Sequence, residues 1–420
     1  MKKRLLMVAF HFPPLVGSSG IQRTVRFAQQ LPGCGWEAEV LSAHPRAYEQ
    51  TGTDLLAELP PDLKVMRPFA LDASRHLAIG GHYPGGLARP DRWLAWMVGA
   101  IPAGLHSIRK RRPLALWSTY PIPTAHLICY SLARLTGIPW VADFRDPMAH
   151  DGYPQDPKTW LSYLNVEKKV FATASCAVFA TPGAARLYRT RYPDFASRIH
   201  VIENGYDEDA FASAESMPRK ALPTSGRFTL LHSGIVYPEW RNPKALFVAV
   251  RALLDCGEPL ARILRLRFRA PVHTDWLAKL AAQHGLTDIV DIAPPLPYQE
   301  ALREMLDANA LLVLQGADCN DQIPAKVYEY LRARRPILGL TDERGDTAAL
   351  LRQADMGPIC ALESSEAIQR SLLHWLQSLQ NDVNPAPNEV LVRSASRSMR
   401  TLSLAALLDK ITGQPDGKLA

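Results

Sequence analysis

A lysine and two carboxylates are spaced along residues 321–340 as a phosphate and ribose site requires. Lys326 falls in the first turn of a predicted amphipathic helix, and Glu329 follows about one helical turn later. A cation and unpaired backbone N–H groups at a helix N-terminus suit a phosphate, and a carboxylate beyond them can accept both hydroxyls of a ribose. Asp321 lies in the polar loop before the helix. The segment predicts a nucleotide site, with an ordinary amphipathic helix as the alternative.

Three charged residues follow an apolar strand in the run Gly-Ile-Pro-Trp-Val-Ala-Asp-Phe-Arg-Asp-Pro, residues 137–147. They are Asp143, Arg145 and Asp146, and they fall at the carboxyl end of the predicted strand, the edge at which open parallel sheets bind ligands. Unpaired buried charge is unfavourable, so we expect these side chains to bind a ligand or to pair. A structural ion pair between Asp143 and Arg145 is the alternative to a catalytic role.

Two more loops follow predicted strands. Gly17 and Gly20 lie after the strand 5–10, where they let the backbone approach a ligand closely, and the helix behind them favours negative charge. Their spacing is not that of a dinucleotide fingerprint, and a tight turn is the alternative. His126 stands at the start of the helix that follows the strand 114–117.

The elements that position these residues form an α/β pattern, in which strand-length apolar runs alternate with helices. A chain of 420 residues is too long for one typical core, so two domains are expected. We predict a Rossmann-like domain over residues 1–211, a linker over 212–227, a second Rossmann-like domain over 228–389, and a final helix with a tail over 390–420.

Composition excludes several classes of protein. The hydrophobic fraction of 47% is that of a globular protein, and no run reaches the ~18 apolar residues of a membrane helix. Residues 1–4 lead straight into a strand, so no signal peptide is expected. The six cysteines lie far apart without a C-x-x-C pair, which suggests neither a zinc site nor a disulfide framework and fits a reducing cytoplasm.

The net charge of +7 and pI near 9.1 are compatible with nucleic acid, an anionic membrane surface or a phosphorylated substrate. No aromatic and basic recognition module for nucleic acid is present, so no nucleic-acid partner is expected. Residues 93–112 combine Trp93 and Trp96 with a basic end, as interfacial helices do. A peripheral membrane helix and a helix packed on the first domain both fit. The D-x-D string at 207–209 is interpreted as a solvated turn.

Four features of the chain resemble the retaining GT-B glycosyltransferases of family 4. Asp321 and Glu329 have the spacing of the family's Glu-x7-Glu, with Asp in place of the first Glu. Residues 324–338 read P-x-K-x-x-E-Y-L…P-I-L, and residues 143–147 read D-F-R-D-P where many members carry Thr-x-His; both strings resemble one sub-branch. The string V-I-x-N-G-x-D at 201–207 resembles the end of the family's N-terminal domain.

The resemblance implies two Rossmann-like domains facing across a cleft, with the final helix crossing back to the acceptor-side N-terminal domain. In the family, the first loop of the C-terminal domain supplies an arginine and a lysine that neutralise the donor diphosphate. Arg241 and Lys244 are the nearest candidates, and Lys326 is a candidate replacement for the lysine. The resulting assignment is donor binding by Glu329, Arg241, Lys244, Gly234, Gly17 and Gly20, catalysis by Asp321, Asp143, Arg145 and Lys326, and acceptor contact by Asp146 and His126.

The expected function is transfer of a hexosyl group, with retention, from a nucleoside diphosphate sugar to a glycan or lipid-linked acceptor in polysaccharide or surface glycan synthesis. No cofactor and no metal are expected. The expected location is the cytoplasm, with peripheral attachment to the inner face of the membrane through residues 93–112 as a hypothesis. A GT-B nucleotide-sugar epimerase is the enzymatic alternative, and a non-enzymatic basic binding protein is the other.

Overall fold

The computed structural model describes residues 3–17, 20–83, 85–150, 152–218, 227–380 and 386–413. The chain divides into two compact units, the first formed by Met1–Asn204 with Arg397–Ala420 and the second by Gly205–Ser396. Parts of three predicted segments lie outside the described residues: 18 and 19 in the glycine loop, 219–226 in the linker and 414–420 in the tail.

The strands of the described chain are β1 Lys3–Val8, β2 Trp36–Leu41, β3 Lys64–Met66, β4 Ala115–Thr119, β5 Trp140–Arg145, β6 Cys176–Phe179, β7 Ile199–Val201, β8 Phe228–Ser233, β9 Leu264–Arg269, β10 Val290–Ala293, β11 Ala310–Leu314, β12 Ile337–Leu340 and β13 Ile359–Cys360. Most read as continuous apolar runs, because a parallel sheet covered by helices buries both of its faces.

The helices are α1 Gly20–Gln30, α2 Asp54–Ala57, α3 Ala73–His76, α4 Trp96–Lys110, α5 Pro123–Thr136, α6 Pro157–Thr173, α7 Pro182–Arg191, α8 Glu208–Ser216, α9 Lys244–Asp255, α10 Pro259–Ile263, α11 Thr274–Gln283, α12 Tyr298–Asp307, α13 Lys326–Ala333, α14 Asp346–Gln353, α15 Ser365–Gln380, α16 Glu389–Ser394 and α17 Arg397–Thr412. Local chemistry explains several boundaries. Thr181, for example, caps α7 by accepting from the Ala184 N–H at 3.2 Å, with Pro182 in the first turn.

Each unit contains one parallel sheet. The first sheet has the order β3-β2-β1-β4-β5-β6-β7 and the second the order β10-β9-β8-β11-β12-β13. The strand order reverses between β1 and β4 in the first sheet and between β8 and β11 in the second. Ligands of such sheets bind at the carboxyl ends of the strands beside the reversal. The predicted α/β class with two Rossmann-like domains is confirmed.

The last helix packs within the first unit, as the resemblance implied. The Trp36 indole N–H donates to Asp409 Oδ1 at 2.9 Å, and Lys3 forms an ion pair with the same carboxylate. Arg400 binds Glu203 Oε2 at 2.5 Å. The predicted single helix from about 390 is divided into α16 and α17, because residues 395 and 396 leave the helical path.

Helix α8 belongs to the second unit, whereas the sequence analysis extended the first domain to residue 211. Arg332 on α13 forms ion pairs with Glu208 and Glu215 at 2.5 and 2.9 Å, which fixes α8 there. Asp207, the first residue of the D-x-D string, does not lie in a solvated turn as the sequence analysis interpreted it. It is 3% exposed, and its side chain caps α8 by accepting from the Ala210 N–H at 3.2 Å.

Trp93, which precedes α4, and Trp96, which begins it, both pack within the first unit, as expected for the alternative of a helix packed on the first domain. Trp96 is fully buried. The Trp93 indole N–H donates to the Ala47 carbonyl at 3.1 Å, and its ring lies 4.6 Å from that of Phe10. Val98 is the exposed apolar residue of the helix, at 71%. Within the described ranges, no helix has the length and apolar character needed to cross a membrane.

Candidate active site

The reversal point of the second sheet brings together the loops after β8 and β11. β8 ends in His232 and Ser233, and Gly234 follows in a left-handed conformation with φ +109°. The loop after β11 runs from Gln315 to Lys326, the first residue of α13. Two adjacent strand ends and a helix start therefore converge at the edge where a parallel sheet binds ligands.

Lys326 is half-buried at this point, and its Nζ lies 2.9 Å from His232 Nε2. A Cβ placed on Gly234 would lie 3.1 Å from Nζ, a tight contact, and the backbone conformation at this position also favours glycine. Burial, and then the nearby Arg241 cation, hold the pKa of Lys326 well below its usual range, while Glu329 opposes this effect. Among the described residues, Lys326 forms no ion pair.

Arg241 is the second cation of this group. Its guanidinium donates to the Ile235 carbonyl at 3.1 Å and lies 5.3 Å from the centre of the Tyr237 ring. Burial lowers its pKa. In the described part of the chain, Arg241 has no carboxylate in ion-pair contact either. Two half-buried cations that repel each other, and that have no ion-pair partner among the described residues, have the chemistry to bind an anion.

Glu329 is half-buried one turn along α13 from Lys326, and Tyr298 at the start of α12 donates its hydroxyl to Oε1 at 2.9 Å. Asp321 is exposed in the loop after β11. Gln315 holds that loop, because its amide donates to the carbonyls of Cys319 and Gln322 at 2.6 and 2.9 Å. The backbone on both sides of Asp321 is thus tied to the end of β11.

Lys244 is exposed at the first position of α9, and its backbone N–H donates to Asn242 Oδ1 at 3.0 Å. Within the described residues, its side chain forms no hydrogen bond or ion pair with the Lys326 and Arg241 group. The structure therefore joins Lys326, Arg241 and Gly234 but does not bring Lys244 into contact with them.

In the first unit, Asp143 pairs with Arg23 on α1, not with Arg145. Arg23 Nε and Nη2 donate to the two carboxylate oxygens at 2.9 and 3.1 Å, and both side chains are buried. The same guanidinium donates to the backbone carbonyls of Ile202 and Glu203 at 2.8 and 3.0 Å. Asp143 therefore binds α1 and the end of the first unit to β5.

Arg145 ends β5 with φ 64°, a left-handed conformation that is rare for a residue with a side chain. Its guanidinium donates to the carbonyls of Tyr120 and Gly20 at 3.2 and 3.4 Å, across the reversal between β1 and β4. A Cβ on Gly20 would lie 2.5 Å from Nη1, so the guanidinium occupies the space that a side chain there would need. Burial and Arg145 lower the pKa of His11, after β1, to about 4.

The remaining predicted residues of the first unit differ in exposure. Gly17 is exposed with φ +82°, and Asp146 is exposed just beyond Arg145. His126 is fully buried, with Nδ1 2.7 Å from Ser118 Oγ and its ring 4.9 Å from Phe144. Burial lowers its pKa to about 3, so it is neutral, and its position in the core corrects the expectation that it contacts an acceptor.

Residues 19–205 match the family described as a glycosyl transferase 4-like domain. The fold is that of the GT-B glycosyltransferases. No curated protein matches the sequence of this GT-B chain.

A glycosyltransferase from Rickettsia africae ESF-5 superposes with a TM-score of 0.68 at 13% identity, covering 98% of both chains. HepE of Anabaena in complex with UDP and glucose gives 0.67 at 12% identity, covering 97% of this chain and 100% of that chain. WaaG, a glycosyltransferase involved in lipopolysaccharide biosynthesis, gives 0.60 at 13% identity, covering 97% and 98%. At these identities the likeness establishes the fold.

Four side chains of this GT-B chain were missed by the sequence analysis: Arg23, His232, Tyr298 and Gln315. Each forms a hydrogen bond with a predicted site residue or with the loop that carries it. Each is either far from that residue in sequence or stands at the end of an apolar strand, where no periodic pattern marks it. Gln315 gave a weak signal, as a polar residue directly after a buried strand. Among the described residues, no group of His, Cys, Asp or Glu side chains is arranged to hold a metal ion.

A cavity of about 610 Å³ in the first unit lies at the opposite, amino edge of its sheet. Glu39 in its wall forms ion pairs with Arg4 and Lys64 and accepts from Ser107 Oγ at 2.7 Å. The charged residues in the wall of this cavity therefore neutralise one another, whereas Lys326 and Arg241 have no ion-pair partner among the described residues. We do not assign this cavity to the active site.

Proposed function

We propose that this GT-B chain transfers a hexosyl group from a nucleoside diphosphate sugar to an acceptor, with retention at the sugar carbon. The observation that carries the proposal is the pair of half-buried cations, Lys326 and Arg241, without an ion-pair partner among the described residues at the reversal of the second sheet. A diphosphate supplies the missing negative charge, and HepE, which has this fold, is described in complex with UDP and glucose.

In the proposed reaction the bond between the sugar carbon and the diphosphate oxygen breaks, and its electron pair remains on the diphosphate. Lys326 and Arg241 stabilise this developing charge, which preorganised cations do without a metal ion. The acceptor oxygen forms the new bond to the same carbon on the face that the diphosphate leaves, and its proton passes to the departing diphosphate oxygen. Asp321 stabilises positive charge at the sugar, and Glu329 accepts the ribose hydroxyls. Gly234 provides the room, and Lys244 adds longer-range positive charge.

In the first unit, we propose that Arg145 and the exposed Asp146 contact the substrates at the end of β5. Gly20 leaves room for the Arg145 guanidinium, and the exposed Gly17 leaves its backbone open to a substrate. Asp143 has a positioning role, because its carboxylate is held by Arg23 and aligns β5 with α1. The acceptor is a glycan or a lipid-linked intermediate of surface polysaccharide synthesis, a proposal supported by the likeness to WaaG, which is involved in lipopolysaccharide biosynthesis.

The test of the proposed activity is incubation with UDP-, GDP-, ADP- and dTDP-sugars in the presence of chelator, with and without acceptor extracts. Release of nucleoside diphosphate that depends on acceptor, with the sugar on the acceptor, is the expected result. Formation of a new nucleotide-sugar epimer without acceptor would instead establish the epimerase alternative. Loss of activity with chelator, restored by a divalent cation, would contradict metal independence.

We also propose that the enzyme works in the cytoplasm at the inner face of the membrane, attached through α4. The contact in this proposal is Val98 with the exposed basic residues Arg109 and Lys110, since Trp96 is buried. Sedimentation with anionic liposomes is expected to decrease for Val98→Asp. Equal sedimentation of the parent and the variant would contradict attachment through this helix.

A further inference from the structure

His232 has both ring nitrogens in use, although it is 1% exposed at the end of an apolar strand. Nδ1 lies 2.9 Å from the Leu312 carbonyl on the neighbouring strand β11. Because a carbonyl only accepts, Nδ1 must carry the ring proton, and Nε2 then presents a lone pair. That lone pair points to the Lys326 amine at 2.9 Å.

The imidazole remains neutral in this position. Burial, together with the cations of Lys326 and Arg241, holds the pKa of His232 well below its usual range, against the opposing effect of its backbone hydrogen bonds. The ring is therefore a hydrogen-bond acceptor for Lys326 throughout the neutral pH range. A protonated ring would repel the amine instead.

This bond restricts a side chain that is otherwise flexible. A lysine side chain has four rotatable bonds, and fixing them costs conformational entropy. His232 is itself fixed by β8 and by the backbone of β11, so it transfers the rigidity of the sheet to the amine. The remaining N–H bonds of the amine are then set in direction before any ligand binds, which is the usual requirement of a preorganised site.

We propose that His232 is a positioning residue for the donor diphosphate: its Nε2 lone pair holds the Lys326 amine beside Gly234, at the place where the phosphates bind. The inference rests on the proposed function, and it adds a residue to the site. The competing interpretation is that His232 only ties β8 to β11 and fills the core.

Two substitutions of similar size separate these interpretations. His232→Gln puts an amide oxygen near the position of Nε2 and keeps an acceptor for Lys326, whereas His232→Leu removes the acceptor. Both lose the Nδ1 bond to Leu312, so their losses of stability should be similar. Asn309→Ala is the control for strand pairing, because Asn309 Oδ1 accepts from the Thr229 N–H at 2.9 Å at the other end of β8.

The probe is whichever of UDP, GDP, ADP or dTDP binds the parent most tightly, measured by calorimetric titration. We expect His232→Leu to weaken binding about tenfold, as for a lost hydrogen bond to a charged group. His232→Gln should recover most of this affinity, and Asn309→Ala should leave it unchanged. In a Lys326→Met background, His232→Leu should change affinity less than about twofold, because the two residues act as one unit.

Equal weakening by the Gln and Leu variants, or a tenfold effect of His232→Leu that persists in the Lys326→Met background, would overturn the inference and leave the proposed function intact. A parent that binds none of the four nucleotides would overturn both. The two failures are thus distinguished in the same experiment.

Discussion

Arg23 and Asp143 form a two-point ion pair inside the first unit, with Nε–Oδ2 and Nη2–Oδ1 distances of 2.9 and 3.1 Å. The pair joins the helix after β1 to the strand that ends in Arg145. Helix α1 and strand β5 also meet at the Arg145 guanidinium, which ends β5 and donates to the Gly20 carbonyl on α1. The ion pair therefore helps to hold that guanidinium in place.

Breaking this pair should destabilise the first unit. Asp143→Asn leaves a buried guanidinium without its counter-ion, which costs about 3–5 kcal/mol in comparable sites. The measurement is urea unfolding followed by tryptophan fluorescence, with Asp255→Asn as the control. Asp255 pairs with Arg251 at an exposed site, where a change below about 1 kcal/mol is expected. Equal effects of the two variants would contradict the role given to Asp143.

Gly20→Ala should reduce turnover without comparable loss of stability. The added Cβ would fall 2.5 Å from Arg145 Nη1, and the guanidinium, as the end of a flexible side chain, would move away. We expect kcat to fall about tenfold or more, because a displacement of a catalytic group by about 1 Å can lower the rate by about a hundredfold. Gly33→Ala is the control, because a Cβ there meets nothing within 4 Å. Unchanged kcat in Gly20→Ala would argue against Arg145 as a substrate contact.

Affinity for a nucleoside diphosphate should fall as pH rises through the lowered pKa of Lys326. The charged groups that face Lys326 are Arg241 and Glu329, and His232 is neutral beside it. Because the pKa of Lys326 is lowered, its charge is complete below that pKa and is lost as pH rises through it, at a pH below that of an ordinary lysine. Lys326→Arg should flatten this profile, since an arginine stays charged. A profile that is the same in both proteins would contradict the assignment.

Glu329→Ala should remove discrimination between ribose and deoxyribose. If the carboxylate accepts the ribose hydroxyls, the parent binds its preferred ribonucleoside diphosphate more tightly than the 2′-deoxy form, and the variant binds both with similar, weaker affinity. Tyr298→Phe should have a smaller effect in the same direction, because it removes the hydroxyl that donates to Glu329 at 2.9 Å. Competition binding against a fluorescent nucleotide measures both. Discrimination that persists in Glu329→Ala would place the ribose elsewhere.

The sequence identified the residues whose role depends on local spacing. Lys326 and Glu329 lie one turn apart at a helix start, and that pattern is readable without any tertiary information. The contact of His232 with Lys326 could not be predicted from the sequence. A single histidine at the end of an apolar strand gives no periodic pattern, and the two residues are 94 positions apart.

The structural alternative for Asp143, an ion pair with Arg145, was wrong about the partner. Residues two apart in a strand share a face, so Arg145 was the natural partner, but its left-handed backbone turns it towards Gly20. Arg23, on a helix 120 residues away, takes the carboxylate instead. The sequence also could not decide whether Trp96 is buried, because aromatic and basic residues occur together both in helices packed on a core and in helices at a membrane surface.

The central claim is that Lys326 and Arg241 bind the donor diphosphate, and calorimetric titration tests it most directly, with the nucleoside diphosphate that binds most tightly and its monophosphate. The expected result is a parent that prefers the diphosphate, with that preference reduced about tenfold or more in Lys326→Met and in Arg241→Met. Lys279→Met, an exposed lysine on α11, should bind both nucleotides like the parent. A preference for the diphosphate that survives loss of either cation would contradict the claim.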